Sequence, residues 1–391
     1  MKNITPKSSS KKIPQKAVVL ETRVVTGTGG GPEKTILNTP RFMDPHGYKT
    51  LCAYMHPPGD PGFEILRQRA EKLNCPILEV SDHGLFDWSV IRQMTEICSE
   101  NKVTIWHGHD YKSNILGLWV CRHYPMKLVS TVHGWVHRTW KTPLYYFLDM
   151  LSLKYYDHVI CVSSDLQQKC LDFGVLPQKC TLVENAIDVN HFSRDMSVST
   201  AKEKIGFPLN RIVVGAVGRL SPEKNFHGLI HVVTSLLDKD VPLELYIIGE
   251  GPSHSYLEGL IKNTKHQEHL HLLGFRNDLH DLYQAMDIFV LSSSREGLPN
   301  VVLEAMSYDV PVLSTRVAGV PRLITNGYNG VLVDIEDNEN LSRMLEMLAL
   351  EPEYRKMIGE NGRMTITQNY NLDTRMKKVR DIYDQVLDIN E

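Results

Sequence analysis

The sequence predicts an α/β protein with two doubly wound parallel sheets, and three observations predict it. Short β-branched runs alternate with helix-length amphipathic stretches from residue 17 onward, each run ending in a turn that contains Gly, His, Ser or Asp. Alternation of this kind places a parallel sheet between two layers of helices. The pattern is interrupted by a polar, irregular stretch from about Asp188 to Leu209 and then resumes. Finally, 391 residues suffice for two or three domains at roughly 150 residues each.

Taken in order, the first series of strands is expected at 17–25, 49–55, 76–80, 103–107, 127–132, 158–162 and 180–184. The second is expected at 211–217, 243–248, 270–273, 287–291, 311–314 and 330–333. The predicted organisation is a basic tail over 1–16, a first domain over 17–187, a linker over 188–209, a second domain over 210–364 and a C-terminal segment over 365–391. In that last segment Thr365 to Leu387 reads as one helix that could pack on either domain. Open sheets of this kind bind ligands beyond the carboxyl ends of their strands, so function is sought in the turns that follow them. Two facing domains would place the site in the cleft.

Composition narrows the function. Lys plus Arg number 43 and Asp plus Glu 46, so a net charge of −3 gives no overall attraction for a nucleic acid. Seven cysteines, with no C-x-x-C pair, predict reduced thiols and a cytoplasmic location. No run approaches the roughly 18 apolar residues of a spanning helix, and the N-terminus shows no apolar signal core. Five lysines and no acid within residues 1–16 make that tail either a solvated terminus or a contact for anionic lipid.

The first turn reads Gly27-Thr28-Gly29-Gly30-Gly31-Pro32-Glu33-Lys34. Glycines there allow close backbone approach, and amides at a helix start favour an anion. Glu33 stands where a P-loop needs glycine, and Pro32 stands where the last glycine of G-x-G-x-x-G would be, so a tight structural turn remains the other reading. His107-Gly108-His109 and His133-Gly134 end the next strands. Histidines spaced by one residue on an extended segment point the same way and could bind a metal. No thiolate pair or carboxylate cluster completes a shell in the sequence, and such histidines can equally hydrogen-bond a polar substrate or be satisfied in the core.

In the second domain, Gly218-Arg219-Leu220-Ser221-Pro222-Glu223-Lys224-Asn225 sets two cations five residues apart after a buried strand. The pair suits a diphosphate, Arg as a bidentate fork and Lys as a point charge; a solvated ion-pair loop is the plainer alternative. The stretch Asp287 to Met306 is the most informative. An apolar strand ends in serines, the turn carries Glu296 and Gly297, Pro299 opens a helix, and Glu304 follows within it. Two carboxylates with seven residues between them thus flank a helix N-terminus, whose amides and dipole suit a phosphate.

That spacing, with Gly297-Leu298-Pro299 inside it, resembles the signature of the retaining glycosyltransferases of family 4, and Gly218-Arg219-Leu220 followed by Lys224 is similar to their other motif. Ile248-Gly249-Glu250-Gly251-Pro252, Leu273-Gly274-Phe275-Arg276 and Pro311-Val312-Leu313 leading to Gly319-Val320-Pro321 also look like this family's landmarks. Asn185-Ala186-Ile187-Asp188 departs from it with Ala where many relatives have Gly. The resemblance implies a GT-B fold, two Rossmann-like domains facing a central cleft, and sugar transfer from a UDP- or GDP-sugar to a hydroxyl acceptor. It implies that Arg219 and Lys224 neutralise the diphosphate, Glu304 holds the ribose and Glu296 binds the transferred sugar. Gly29, Gly30, Gly31, Gly297, Leu298, Pro299 and Asn300 would line the donor, with the amides at the start of the helix after Pro299 on the phosphate, and Gly274 to Arg276 would face the base. His133 would sit near the anomeric carbon and His109 on the acceptor side, with no metal and no cofactor beyond the nucleotide sugar. A GT-B epimerase and a catalytically silent nucleotide-sugar-binding module are the rival readings.

Residues 135–156 hold seven aromatics, Trp135, Trp140, Tyr145, Tyr146, Phe147, Tyr155 and Tyr156, with Arg138, Lys141 and Lys154. That mixture suits core packing or, alternatively, an anionic membrane surface at which a lipid-linked acceptor is used in cell-surface polysaccharide or glycolipid synthesis.

Overall fold

A computed structural model describes residues 16–389, apart from 28, 85–86, 135–141 and 318. The readings made for the tail before residue 16 and for Trp135, Arg138, Trp140 and Lys141 lie outside the described residues. The chain forms two compact units, one holding the residues up to Val183 together with those from Met376 onward, the other Glu184–Arg375. All thirteen expected strands are present to within two residues of the expected bounds, because most are buried on both faces and read as apolar runs, while the edge strands Ile77–Ser81, Cys180–Leu182 and Leu270–Leu272 are only partly buried.

The first unit carries β1 (Ala17–Val24), β2 (Tyr48–His56), β3 (Ile77–Ser81), β4 (Ile105–Gly108), β5 (Lys127–Val132), β6 (His158–Cys161) and β7 (Cys180–Leu182). They pair in parallel in the order β3-β2-β1-β4-β5-β6-β7. The second unit carries β8 (Ile212–Val217), β9 (Leu243–Ile248), β10 (Leu270–Leu272), β11 (Ile288–Leu291), β12 (Val312–Thr315) and β13 (Val331–Val333), in the order β10-β9-β8-β11-β12-β13. Side chains alternate across this sheet: Val213, Tyr246, Ile248, Phe289 and Leu291 enter one core, and Val214, Leu245, Ile247, Ile288 and Val290 enter the other. In each unit the strand order reverses at one place, between β1 and β4 and between β8 and β11. Loops leaving the two strands on either side of such a reversal run to opposite faces and open a crevice between them.

Two expectations about organisation are corrected. The stretch 188–209 is no free linker, since it includes the helix Val198–Ile205 and belongs wholly to the second unit. It reads as irregular because side chains serve its backbone. Arg194 donates to the carbonyls of Tyr308 (2.9 Å) and Gln284 (2.6 Å), the Gln284 side chain accepts from the Asp195 and Met196 amides, and Arg363 reaches the carbonyls of Val189 and Phe192. Nor is 365–387 a single helix. The chain forms Pro352–Asn369 and then Leu372–Val386, broken where Ile187 and Asn371 pair as a parallel bridge. There the Ile187 amide donates to Tyr370 O and the Leu372 amide to Ile187 O, while Asn371 caps the new helix at the Thr374 amide. From Met376 the last helix belongs to the first unit. Among the described residues no helix is long and apolar enough to cross a membrane.

Candidate active site

In the second unit the loops after β8 and β11 meet at the reversal of strand order. The first is built on close backbone approach. Leu220 N donates to Glu250 O and Gly218 N to Ile248 O, and Gly249, at φ +141°, lies so near that a Cβ there would stand 1.9 Å from Gly218 O. Only glycine satisfies both conditions. A short 3-10 turn, Pro222–Lys224, then brings Lys224 round, and Asn225 in left-handed conformation starts the next helix. The loop after β11 is laced to it: Ser292 Oγ donates to Lys224 O at 2.8 Å and the Ser294 amide to Glu223 O at 2.8 Å.

This lacing sets the charges. Lys224 Nζ lies 2.6 Å from Glu296 Oε1, and Ser293 Oγ donates to the same oxygen at 2.7 Å. Both ionic side chains are largely but not wholly buried. Arg219, by contrast, is exposed and makes no ion pair among the described residues. Glu304 is fully buried in the helix Asn300–Ser307, where Tyr283 Oη donates to its Oε2 at 2.9 Å. Burial first, and then the Glu304 carboxylate, push the Tyr283 phenol well above its ordinary range. Gly297 is exposed and its carbonyl accepts from the Gly319 amide, while Leu298 and Pro299 are buried and Asn300 is half-buried. Gly274 takes φ +65° and accepts from the Gly249 amide, and Arg276 is spent on Asp278 in its own loop at 2.7 Å.

The first unit has its own polar cluster at its reversal point. Glu21 on β1 stands opposite His107 on β4, and His109 follows two residues later with its amide on Thr22 O. Glu21 Oε2 is bonded to His109 Nε2 and lies 3.3 Å from His107 Nδ1. His109 Nδ1 is 3.0 Å from His133 Nε2, and His107 also meets Tyr383 Oη (2.6 Å) and Thr131 Oγ1 (2.8 Å). Burial pushes the Glu21 carboxyl up, but the two histidines outweigh it and hold it well below the ordinary carboxylate range. Burial also pushes His109 down to about 4, against the pull of Glu21. The glycine loop lies close by in sequence: Asp60 ties the amides of Gly27 (2.7 Å) and Gly62 (2.9 Å), Gly29 takes φ +74°, and Glu33 accepts from the Gly30 amide and forms an ion pair with Arg23.

Of the residues singled out from the sequence, Lys224 joins Glu296, His109 joins His133, and Gly297 meets the Gly319 landmark. Glu304 and Arg276 are each occupied by a neighbour instead of open. Sequence reasoning missed Ser293, Tyr283, Glu21 and Tyr383. A signal for Glu21 existed, since a carboxylate inside the run Ala-Val-Val-Leu-Glu-Thr-Arg-Val must find partners if that strand is buried. Nothing local marks Tyr383, 362 positions away from Glu21.

Two doubly wound units, each with a polar cluster at its strand-order reversal, are the architecture of the GT-B fold, and comparison with solved structures agrees. The Anabaena protein Alr3699/HepE, solved in complex with UDP, superimposes with a TM-score of 0.80 over 94% of this chain and 100% of that one, at 18% identity. Residues 197–365 match the profile described as glycosyl transferases group 1, and residues 29–191 the one described as glycosyltransferase family 4. The chain belongs to family 4 of the glycosyltransferases. Among characterised relatives, the Escherichia coli UDP-Gal:alpha-D-GlcNAc-diphosphoundecaprenol alpha-1,3-galactosyltransferase is 27% identical over 307 residues, covering 76% of this chain and 79% of its own. The N-acetyl-alpha-D-glucosaminyl L-malate synthase of Bacillus anthracis is 24% identical over 307 residues, covering 77% and 80%.

Proposed function

We propose that the chain is a retaining hexosyltransferase that moves a sugar from a nucleotide diphosphate, a uridine one first among candidates, to a hydroxyl acceptor in cell-surface polysaccharide or glycolipid synthesis. The observation that carries this is the Lys224–Glu296 pair with Ser293, held at the strand-order reversal beside exposed Arg219. Departure of the nucleoside diphosphate concentrates negative charge on a phosphate oxygen as the sugar becomes oxocarbenium-like. Fixed cations at that oxygen act selectively in the transition state. In this reading Arg219, Lys224 and the amides at the start of the helix after Pro299 take the diphosphate without a divalent ion. Glu296 takes the sugar hydroxyls, Glu304 the ribose and the Gly274 to Arg276 backbone the base. Within the first unit the Gly29 to Gly31 amides suit a phosphate, His133 the transferred anomeric carbon and His109 the acceptor side. The relatives support the class of donor: the Escherichia coli enzyme is named for UDP-Gal, and the Anabaena protein was solved with UDP.

The acceptor side is read from the helix Thr142–Leu153. It buries Asp149 and Ser152 and exposes Leu144, Phe147, Leu148 and Leu151, with Lys154 and Tyr155 at its end. An apolar face with a basic and aromatic margin fits an anionic lipid surface, where a lipid-linked acceptor would be met.

The test is a thermal-shift series with UDP, GDP, ADP and their sugar conjugates, followed by turnover in EDTA with and without an alcohol acceptor. One nucleotide should stabilise the chain, donor should be consumed only with acceptor present, and Lys224→Ala should lower turnover about 100-fold with its melting point retained. Acceptor-independent consumption would make the chain an epimerase, and full turnover in Lys224→Ala would remove that residue from the site.

A further inference from the structure

The serines that follow β11 are tied in different directions, and together they fix one hydroxyl in space. Ser292 Oγ donates to Lys224 O at 2.8 Å and the Ser294 amide to Glu223 O at 2.8 Å, so the residues on either side of Ser293 are fastened to the loop after β8. The Ser293 carbonyl accepts from Thr315 Oγ1, at the end of β12, at 2.6 Å. The backbone here is thus anchored to both strands that neighbour β11 in the sheet. Ser293 itself is 1% exposed, and its Oγ donates to Glu296 Oε1 at 2.7 Å.

Lys224 reaches the same oxygen by a looser route. Its ammonium lies 2.6 Å from Glu296 Oε1, but it hangs from the short turn Pro222–Lys224 and its side chain retains 17% exposure. A serine carries its single donor hydrogen one carbon from the backbone, whereas a lysine carries three donors at the end of a flexible four-carbon stem. A diphosphate acts differently on the two. Bearing more than one negative charge, it attracts an ammonium more strongly than a single carboxylate does, and it exerts no comparable pull on a neutral hydroxyl. Glu296, only 12% exposed at its side chain, would then lose its ionic partner, and with no other donor it would turn to follow.

We propose, on the donor placement given above in which Lys224 takes the diphosphate and Glu296 the sugar, that Ser293 is a positioning residue: it holds the Glu296 carboxylate in place when a diphosphate draws Lys224 away. Two donors now converge on Oε1. With the ammonium gone, Ser293 alone decides which carboxylate oxygen is turned inward, so the hydroxyls of the transferred sugar meet an acceptor already oriented. The effect is selective by ligand. Ser293 acts only through Glu296, so its hydroxyl matters to a nucleotide that carries a sugar and not to the bare nucleoside diphosphate, whereas Lys224 matters to both.

Titration calorimetry of the full chain in EDTA reads this difference. The probes are UDP, GDP and ADP, each alone and as its glucose, galactose and N-acetylglucosamine conjugates, and the variants are compared on the conjugate that the wild type binds most tightly and on its parent diphosphate. In Ser293→Ala the diphosphate should bind within about twofold of wild type while the conjugate weakens about tenfold, the loss of one hydrogen bond to a charged group. Ser293→Thr, which keeps the hydroxyl, should retain the wild-type ratio, and Lys224→Ala should weaken both ligands. Should Ser293→Ala fold poorly, Ser293→Cys replaces the hydroxyl by a weaker donor of similar shape and gives the same comparison. A crystal structure of the wild type with the diphosphate should show Lys224 Nζ on a phosphate oxygen and Glu296 still on Ser293. Equal weakening of the two ligands in Ser293→Ala, an unweakened conjugate, or a wild-type complex in which Glu296 has followed Lys224 overturns the role of Ser293 and leaves the donor placement standing. Unchanged binding of the conjugate in Glu296→Gln, or no binding by any probe, overturns the donor placement itself and the role of Ser293 with it.

Discussion

A carboxylate and a neutral imidazole buried side by side make the first unit sensitive to acid, and the sign can be worked out residue by residue. Glu21 titrates lower in the folded chain than in the unfolded one, so its contribution is present above the unfolded carboxylate pKa and is lost as pH falls through the folded value. His109 is also lowered, to about 4, so between its ordinary 6.5 and that value the unfolded chain binds the extra proton. Stability therefore falls with pH across that window too, and both groups act in the same direction. The groups facing the pair are His107, His133, Tyr383 and Arg23, the last adding a cation that helps keep His109 neutral. Burial at His109 is complete enough that its window is worth on the order of 3 kcal/mol. Urea midpoints of the wild type should decline between about pH 6.5 and 4.5, and His109→Gln should flatten that decline; a wild-type midpoint constant over the window would contradict the buried neutral ring.

At the scale of the element, the helix Thr142–Leu153 shows why part of the molecule was hard to read. Its sequence is apolar and aromatic, which suggests core packing as readily as a surface. The structure buries the polar side instead: Asn114 Nδ2 donates to Asp149 Oδ1 at 2.8 Å, Ser130 Oγ donates to Asn114 Oδ1 at 2.9 Å, and Tyr156 Oη donates to the Asn114 carbonyl at 2.8 Å. With those groups satisfied inside, Phe147 and Leu144 remain 52% and 60% exposed. Core packing holds for Tyr156 but not for Phe147 or Tyr155. A helix that satisfies its polar face internally and leaves an apolar one in water gains by covering it, roughly 1.5 kcal/mol or more for each large side chain removed from water. Anionic vesicles should therefore pellet the wild type more than a Phe147→Ser, Leu151→Ser double variant, since neither side chain is needed inside. Equal pelleting of the two would assign the face some other partner.

At the scale of the whole chain, parallel strands were legible because burial on both faces leaves an apolar signature in a few consecutive residues. The loops after β8 and β11 were legible because their glycines, cations and carboxylates sit close together in sequence. What escaped were contacts made across long separations. The clamps of Arg194, Gln284 and Arg363 hide ordered chain in what reads as a linker, and the return of the last helix depends on residues hundreds of positions from their partners. That helix is attached by polar as well as apolar contacts. Tyr383 and Val379 are buried, Asp384 accepts from Tyr48 Oη at 2.6 Å and from Lys16 Nζ at 3.2 Å, and Tyr383 reaches the Glu21–His107 pair. The C-terminal end of the chain is thus a structural part of the cluster near its beginning. Tyr383→Phe keeps the ring and removes one hydroxyl, so its effect isolates the polar attachment. Glu21 Oε1 then loses a donor in a site that excludes water, at a cost of about 1–3 kcal/mol. Urea unfolding should show that loss, and it should shrink when Tyr383→Phe is combined with Glu21→Gln, because the charge that needed the hydroxyl is gone. Strictly additive effects of the two substitutions would mean that the Tyr383 hydroxyl does not act through the Glu21 carboxylate.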